Sequence, residues 1–509
     1  MALPALVSAR GFQSVVAGHT LLLGQIAWYR RSHLFGNRRQ LASQAATASS
    51  EKASAETPPN SSAPPSTPPS ITPSTPARSP QLTGPFTPSS PVSDVANQSL
   101  PPGWEDQLPL LDDFSQLPHK DFGKNQVIEI NEEFKRSLRA IMRQFPPISF
   151  AFAYGSGVFP QAASGSRITT SPHPNPPEAI LKWQQGGGKM IDFIFATKFT
   201  QHFHSLNLNR HRDHYSFLGS LGSGVVSHVQ DAYGAGAYFN PYVTVNGTLI
   251  KYGVVNLETL QRDLQEWDTL YLAGRLHKPV KILTEDPNIR VANQRNLMAA
   301  VRCSLLLLGP NFTEKQLYTT IASLSYQGDP RMALGSEHPH KISNIVTAQL
   351  RNFRQLYHDL IVSLPNVHYT DPRAAQPGWH DDLDLDLRMA QDLDPAFRGN
   401  MVRRLPKAFR QKLYFLYQRK FGISGREFED MLKASADEDA SGGVKKQVAG
   451  PFDRRVAAEP DLPEMVAKCV IQTVKWPSMV QTLKGPLTAG PARAWRYVRE
   501  KREKGRRSS

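Results

Sequence analysis

Two short stretches have residue types suited to holding a phosphate and a metal ion. The first is Gly155-Ser156-Gly157, which follows the apolar run Ile148-Ser-Phe-Ala-Phe-Ala-Tyr154. Glycines after a strand let backbone N–H groups approach a phosphate closely, and the Ser156 hydroxyl adds a donor. No Gly-Lys-Ser/Thr follows, so this is not a Walker A loop. Alone, such a turn is more often only a turn. The second is Asp192 inside Met190-Ile-Asp-Phe-Ile-Phe195. A carboxylate in so apolar a strand needs compensation, because an unpaired buried charge is costly. A metal ion is one compensation; a cationic partner or a place at the strand end is another. The turn and the carboxylate together favour a site for a phosphorylated ligand. Four histidines, His202, His204, His211 and His214, follow closely. Their spacing matches no standard zinc pattern, so structural or substrate-orienting roles rank ahead of zinc.

These residues need strands to position them. Residues 148–154 and 190–195 read as two strands. Tyr242 to Val245, Asn246-Gly247 and Thr248 to Tyr252 read as a hairpin with a type I′ turn, which places Lys251 on a strand. On such a strand Lys251 is either an ordinary edge lysine or a phosphate contact. Asn256 is a candidate N-cap for a helix through Leu257, Leu260, Leu264 and Trp267. Pro279 to Leu283 reads as a further strand. Mixed strands and helices give an α/β (α+β) catalytic domain, placed at 119–288, with a Pro- and Gly-rich loop insertion at 162–189. Residues 289–375 read as a small helical or winged-helix domain, with helices over 297–308, 313–324 and 342–364. Helices and loops follow over 376–460, with loops at 376–400 and 434–450 and a helical run at 409–421; a further helical run lies at 464–474.

The chain has 509 residues, a net charge of +15 and a pI near 9.7. That balance suits an anionic partner: nucleotide, nucleic acid or an acidic membrane surface. Two cysteines, Cys303 and Cys469, exclude a disulfide framework and a cysteine-based zinc ribbon. No apolar run is long enough to cross a membrane. Residues 1–50 hold five arginines and no Asp or Glu, the composition of a mitochondrial transit peptide. Residues 51–118 are a Pro/Ser/Thr-rich spacer that cannot bury enough apolar surface to fold, with packed chain expected from about Phe122. Residues 461–509 read as a membrane-associating segment. Met465, Val466, Cys469, Val470 and Val474 recur at helical spacing, an apolar face for either lipid or packing on the protein, and nine Lys or Arg against two Glu follow from Lys484 onward.

The turn followed by a strand carboxylate is the layout of the polymerase-β-like nucleotidyltransferase fold. In ordered blocks over 120–490 the chain resembles the mitochondrial phosphatidate cytidylyltransferases, also called translocator assembly and maintenance proteins. The blocks are Tyr154-Gly-Ser-Gly-Val-Phe-Pro-Gln161, Lys189-Met-Ile-Asp-Phe-Ile-Phe195, His204-Ser-Leu-Asn207, His214-Tyr-Ser216 and Tyr233-Gly-Ala-Gly-Ala-Tyr-Phe-Asn240. They continue as Asn246-Gly-Thr-Leu-Ile-Lys-Tyr-Gly253, Leu272-Ala-Gly-Arg-Leu-His-Lys-Pro-Val-Lys281, Gly328-Asp-Pro-Arg-Met332 and Lys484-Gly-Pro-Leu-Thr-Ala-Gly490.

The resemblance implies CTP and phosphatidic acid as substrates, Mg²⁺ as cofactor, and a peripheral place on the matrix side of the mitochondrial inner membrane, against its anionic lipids. It implies that Asp192 holds the metal, that Gly155, Ser156 and Gly157 cradle phosphates, and that Lys251 and Arg331 contact them. Asp329, Glu337 and Lys341 become candidates for a second metal contact or for holding those cations. Two departures stand out. Ile194 occupies the position two after Asp192, where a second carboxylate is expected, and His338 stands where an acid is expected. The lone carboxylate leaves open a non-catalytic role in assembling the inner-membrane translocase. A nucleotidyltransferase acting on RNA has no recognition motif to support it, so nucleic acid is not expected as a partner.

Overall fold

The structure, a computed structural model, describes residues 110–159, 190–333, 340–431 and 449–491, with 493, 495 and 499. All fall within one compact unit, Pro88–Ser509. The leader 1–50, most of the 51–118 spacer, the 162–189 insertion and Glu337 lie outside the described residues. The packed chain begins ahead of Phe122. Leu111 and Leu117 are buried in the main core, and Leu111 exchanges two backbone hydrogen bonds with the Asn288 side chain. So few apolar residues among polar neighbours give no periodic signal, and the spacer therefore ends earlier than its composition suggests.

Five strands form the sheet that carries Asp192. They are β1 (Phe150–Tyr154), β2 (Ile191–Thr197), β3 (Ala237–Val245), β4 (Thr248–Asn256) and β5 (Lys281–Thr284). Their spatial order is β3-β4-β2-β1-β5. β2 and β4 run parallel, and every other neighbouring pair is antiparallel. Asn246 and Gly247 both take positive φ, as a type I′ hairpin turn requires.

Both faces of the sheet are covered, which is why β2 and β4 read as nearly continuous apolar runs. On one face Phe193, Phe195, Ile250, Tyr252 and Val254 meet Leu138 and Ile141 of α1 (Glu132–Met142) and Phe203 of α2 (Thr200–Arg210). α3 (Ser223–Ala232) packs Val226 against Tyr238 of β3. On the other face Phe152, Ile194, Ala196 and Val255 meet α4 (Leu257–Glu266) and the long α6 (Pro287–Leu307), with the short α5 (Ala273–Leu276) between them in sequence. Asn256 caps α4 by accepting from the N–H groups of Glu258 and Thr259.

α6 starts ten residues before the expected Leu297. Its first half carries Asn293, Gln294 and Asn296, which hide the apolar period although all three are buried. They are satisfied by one another, Gln126 and Trp267.

Beyond α6 come β6 (Asn311–Thr313), α7 (Glu314–Ser323), α8 (Pro330–Ala333), α9 (Lys341–Ala348), α10 (Leu350–Val362), β7 (Val367–Tyr369) and β8 (Arg388–Gln391). The three strands pair antiparallel in the order β6-β8-β7. A fully buried ion pair, Arg354 to Glu314 at 2.9 Å, ties α10 to α7. The helix expected over 342–364 is two helices that meet at Gln349, and β8 lies in a stretch read as loop. A four-residue strand gives too few alternations to be seen.

The chain closes with α11 (Pro395–Arg403), α12 (Lys407–Phe421), α13 (Pro451–Ala458) and α14 (Leu462–Ala489). α14 continues well past Val474. Its apolar residues Val466, Cys469, Val470 and Val474 are buried in the main core, with Met465 packed against it. That stripe therefore does not serve as a lipid-facing surface, and any such surface on this segment lies further along.

Candidate active site

Asp192 is the second residue of β2, at the end of the sheet rather than its middle. Register sets it opposite Tyr154, the last residue of β1, and beside Lys251 of β4. Its carboxylate is about a quarter exposed, and Lys251 Nζ stands 3.4 Å from Asp192 Oδ1. The compensation that the apolar strand demands is thus part solvent and part lysine. Gly155 has φ +81°, and a Cβ there would stand 3.3 Å from Asp192 Oδ2. A Cβ on Gly157 would lie 2.6 Å from the Met190 carbonyl, so only glycine lets this turn approach β2. The amides of Val158 and Phe159 close the turn on the Gly155 carbonyl. The turn and the carboxylate picked out in the sequence are therefore packed together.

Cations gather beside them. Lys251 Nζ lies 4.9 Å from the centre of the Phe239 ring. The Arg275 guanidinium stacks on Tyr271 at 3.9 Å, lies 5.8 Å from both Phe239 and Tyr154, and donates to the Tyr154 hydroxyl at 3.4 Å. Lys278 donates to the Gly274 carbonyl and to Ser325 Oγ. Lys278 and Lys341 flank one ring, Tyr326, at 5.0 and 5.1 Å. Burial, then the repulsion of Arg275 and Lys341, holds the Lys278 ammonium well below the usual lysine range.

Arg331 is close enough to act electrostatically on Arg275. It is gripped by Asp329, which accepts from its Nε and Nη2. The buried Asp329 carboxylate thus holds a cation in place, one of the two roles the resemblance left open for it.

The sequence reading did not single out Arg275 and Lys278. Both lie in the block Leu272–Lys281, three residues apart around a glycine-containing turn, and that spacing was the available signal. A buried carboxylate positions the turn. Asp263 accepts five hydrogen bonds of 2.8–3.1 Å, from Thr269 N and Oγ1 and from the amides of Leu270, Leu272 and Ala273. This clamp offsets the left-handed backbone of Trp267 and Leu270, which is unfavourable for non-glycine residues. Behind it His277 bonds Asn296 through Nε2, and its carbonyl accepts from Tyr357.

The histidines lie on the other side of the sheet. His204 bonds the Tyr215 hydroxyl at 2.8 Å and Gln230 at 2.9 Å. Asn207 donates to Tyr215 and Tyr252, and His214 bonds Tyr252 at 3.0 Å. Burial pushes His204 and His214 down to about 4, so both are neutral and structural. Among the described residues, the one group of three His, Cys, Asp or Glu close enough to share an ion is His211, Asp213 and His214, and it does not include Asp192.

The glycine turn and the strand carboxylate thus share one end of the sheet with Lys251 and Arg275, and Lys278, Arg331 and Lys341 are grouped beside Arg275. The matching family model is "Phosphatidate cytidylyltransferase, mitochondrial", over residues 138–504. Proteins of that name match at 36% identity in Danio rerio (72% of this chain, 93% of the relative) and 32% in Schizosaccharomyces pombe (75% and 86%). The Homo sapiens protein of that name is 34% identical over 70% of this chain and 67% of its own length. The chain belongs to the mitochondrial phosphatidate cytidylyltransferase family.

Proposed function

We propose that the protein transfers CMP from CTP to phosphatidic acid, giving CDP-diacylglycerol and pyrophosphate. A phosphatidate oxygen attacks the α-phosphorus of CTP, and the bond from that phosphorus to the β-phosphate bridging oxygen breaks. The second pKa of a phosphate monoester is about 6, so the nucleophile is already largely anionic and needs no strong general base. His204 and His214 support this, because both are buried and neutral, on the side of the sheet away from Asp192.

What remains for the protein is positioning and charge neutralisation. The Gly155–Gly157 turn offers its amides to phosphate. Lys251, Arg275, Lys278, Arg331 and Lys341 neutralise a triphosphate and a phosphate monoester that would otherwise repel each other. Asp192 fits a hard cation such as Mg²⁺, which is commonly held by one or two carboxylates plus substrate phosphates. When bound, that ion would screen and polarise phosphate oxygens. Asp192 also fixes Lys251 against the turn.

The observation that carries this reading is the packing of a turn that only glycine can make against Asp192, with Lys251 held 3.4 Å from that carboxylate. It acts peripherally, on the matrix side of the inner membrane. No helix among the described residues is long and apolar enough to cross a membrane. Purified protein given labelled CTP with phosphatidate, or with RNA, tests the proposal. Label in CDP-diacylglycerol supports it; label only in RNA, or in neither, overturns it.

A further inference from the structure

The buried stripe 465–474 leaves open which surface meets the lipid. On an outer face of α14 that flanks the buried stripe a second apolar set begins: Trp476, Leu483 and Leu487 are 52%, 69% and 48% exposed. Beside this half of α14 lies a short 3₁₀ helix, Phe217–Leu221, that precedes α3. Phe217 and Leu221 are 57% and 58% exposed. The two elements are joined by specific bonds. Ser216 Oγ donates to the Leu487 carbonyl at 2.6 Å, and Arg493 donates to the His214 carbonyl at 3.2 Å. The buried Lys484 ammonium caps the end of α3 by donating to the carbonyls of Val229, Gln230 and Tyr233. Large exposed apolar residues on two elements locked together need an apolar partner.

Charge selects which partner. Residues 465–499 contain no Asp or Glu and, besides the buried Lys484, five Lys or Arg. Tryptophan suits the headgroup boundary, leucine and phenylalanine suit the acyl region, and basic residues are drawn to anionic headgroups. α14 also reaches the catalytic cations. Gly328, next to the Asp329–Arg331 pair, packs so closely on α14 that a Cβ there would lie 2.9 Å from the Ile471 carbonyl. From Ile471 to Leu487 the helix rises about 24 Å. One continuous helix therefore links the apolar face to the segment that carries Arg331.

We propose that Phe217 and Leu221 enter an anionic bilayer surface together with Trp476, Leu483 and Leu487, so that the catalytic domain itself supplies half of the membrane contact. The inference rests on the lipid-substrate reading above and adds the 217–221 element to it.

The native cysteines are both buried. A Leu221→Cys protein therefore takes an environment-sensitive thiol dye at one site. The full chain is mixed with phosphatidylcholine vesicles containing cardiolipin, and Leu383→Cys, in the loop before β8, is the labelled control. The expected result is a blue shift and quenching by bilayer-borne quencher at position 221 and neither at 383. In unlabelled protein, Phe217→Ser with Leu221→Ser should lower vesicle partitioning about tenfold or more while CTP binding is unchanged. If wild type floats with the vesicles while the dye at 221 stays in water and the double variant floats equally, the 217–221 element is not a membrane contact, though the lipid reading stands. If wild type does not bind vesicles at all, that reading fails as well. A blue shift that needs protein concentration rather than vesicles would make this face a contact between copies and overturn the proposal.

Discussion

Lys251 and Tyr252 are neighbours on β4 and point to opposite sides of the sheet. Both sides are rich in groups that could do chemistry. Around Tyr252 the polar side chains of His204, Asn207, His214 and Tyr215 bond to one another, and burial keeps the two histidines uncharged. Around Lys251 the groups are charged: Asp192 lies 3.4 Å from Lys251, and Asp329 grips Arg331. The histidine-rich side looks more catalytic on a list of residue types, yet its buried His204 and His214 are neutral and bonded within the protein. The other side sets Asp192 and Lys251 against a turn that only glycine can make.

The strongest way to break that contrast is Asp192→Asn. It keeps the shape and removes the carboxylate that packs against the turn. Turnover of CTP and phosphatidate should fall by about 10²–10³-fold or more, with the thermal midpoint nearly unchanged because the side chain is part-exposed. Turnover within tenfold of wild type would place the metal elsewhere. Next comes Arg275→Met, which retains the aliphatic stem over Tyr271 and removes the guanidinium. A loss of about 10²-fold in kcat/KM for CTP is expected. An unchanged value would leave Arg275 as a packing residue.

A smaller effect follows from Lys278. Its ammonium is held below the usual lysine range in the free protein by burial and by Arg275 and Lys341. A bound triphosphate reverses that repulsion and raises its pKa. Between the free and bound values the complex holds more protons than the free protein, so CTP affinity should weaken as pH rises through that window, by at most tenfold per pH unit. Calorimetry in buffers of different ionisation enthalpy should show proton uptake on binding, and Lys278→Met should abolish it. Proton uptake equal in wild type and variant would assign it to another group.

The parts legible in sequence are those with strong local rules. Asn246-Gly247 fixed the hairpin because both positions need positive φ, and Asn256 marked a helix start. Gly155 and Asp192 were legible as a pair because a carboxylate in an apolar strand calls for explanation. Arg275 and Lys278 were harder to see. Their importance comes from the Asp263 clamp and from stacking on Tyr271 and Tyr326, contacts that join residues without any shared period. The inward face of α14 is open between lipid and protein in the sequence for a related reason. An apolar stripe at helical spacing is the same whether it meets lipid or protein, and only packing against α6 and α12 decides it.

The smallest change sharpens the contrast from the other side. Tyr252→Phe removes one hydroxyl and keeps the ring between Phe145 and Phe195, at 4.8 and 5.6 Å. Asn207 and His214 would each lose a buried partner, which should cost about 1–3 kcal/mol of stability. Burial raises the Tyr252 phenol well above its ordinary range, so it stays protonated and cannot serve as a base. Turnover per folded molecule should therefore stay within about twofold, whereas Lys251→Met, one residue away on the same strand, should lose about 10²-fold or more. Denaturant midpoints and turnover measured on both proteins test the pair. If Tyr252→Phe lost turnover while its stability held, the histidine side would belong to the chemistry, and the division between the two faces of β4 would be wrong.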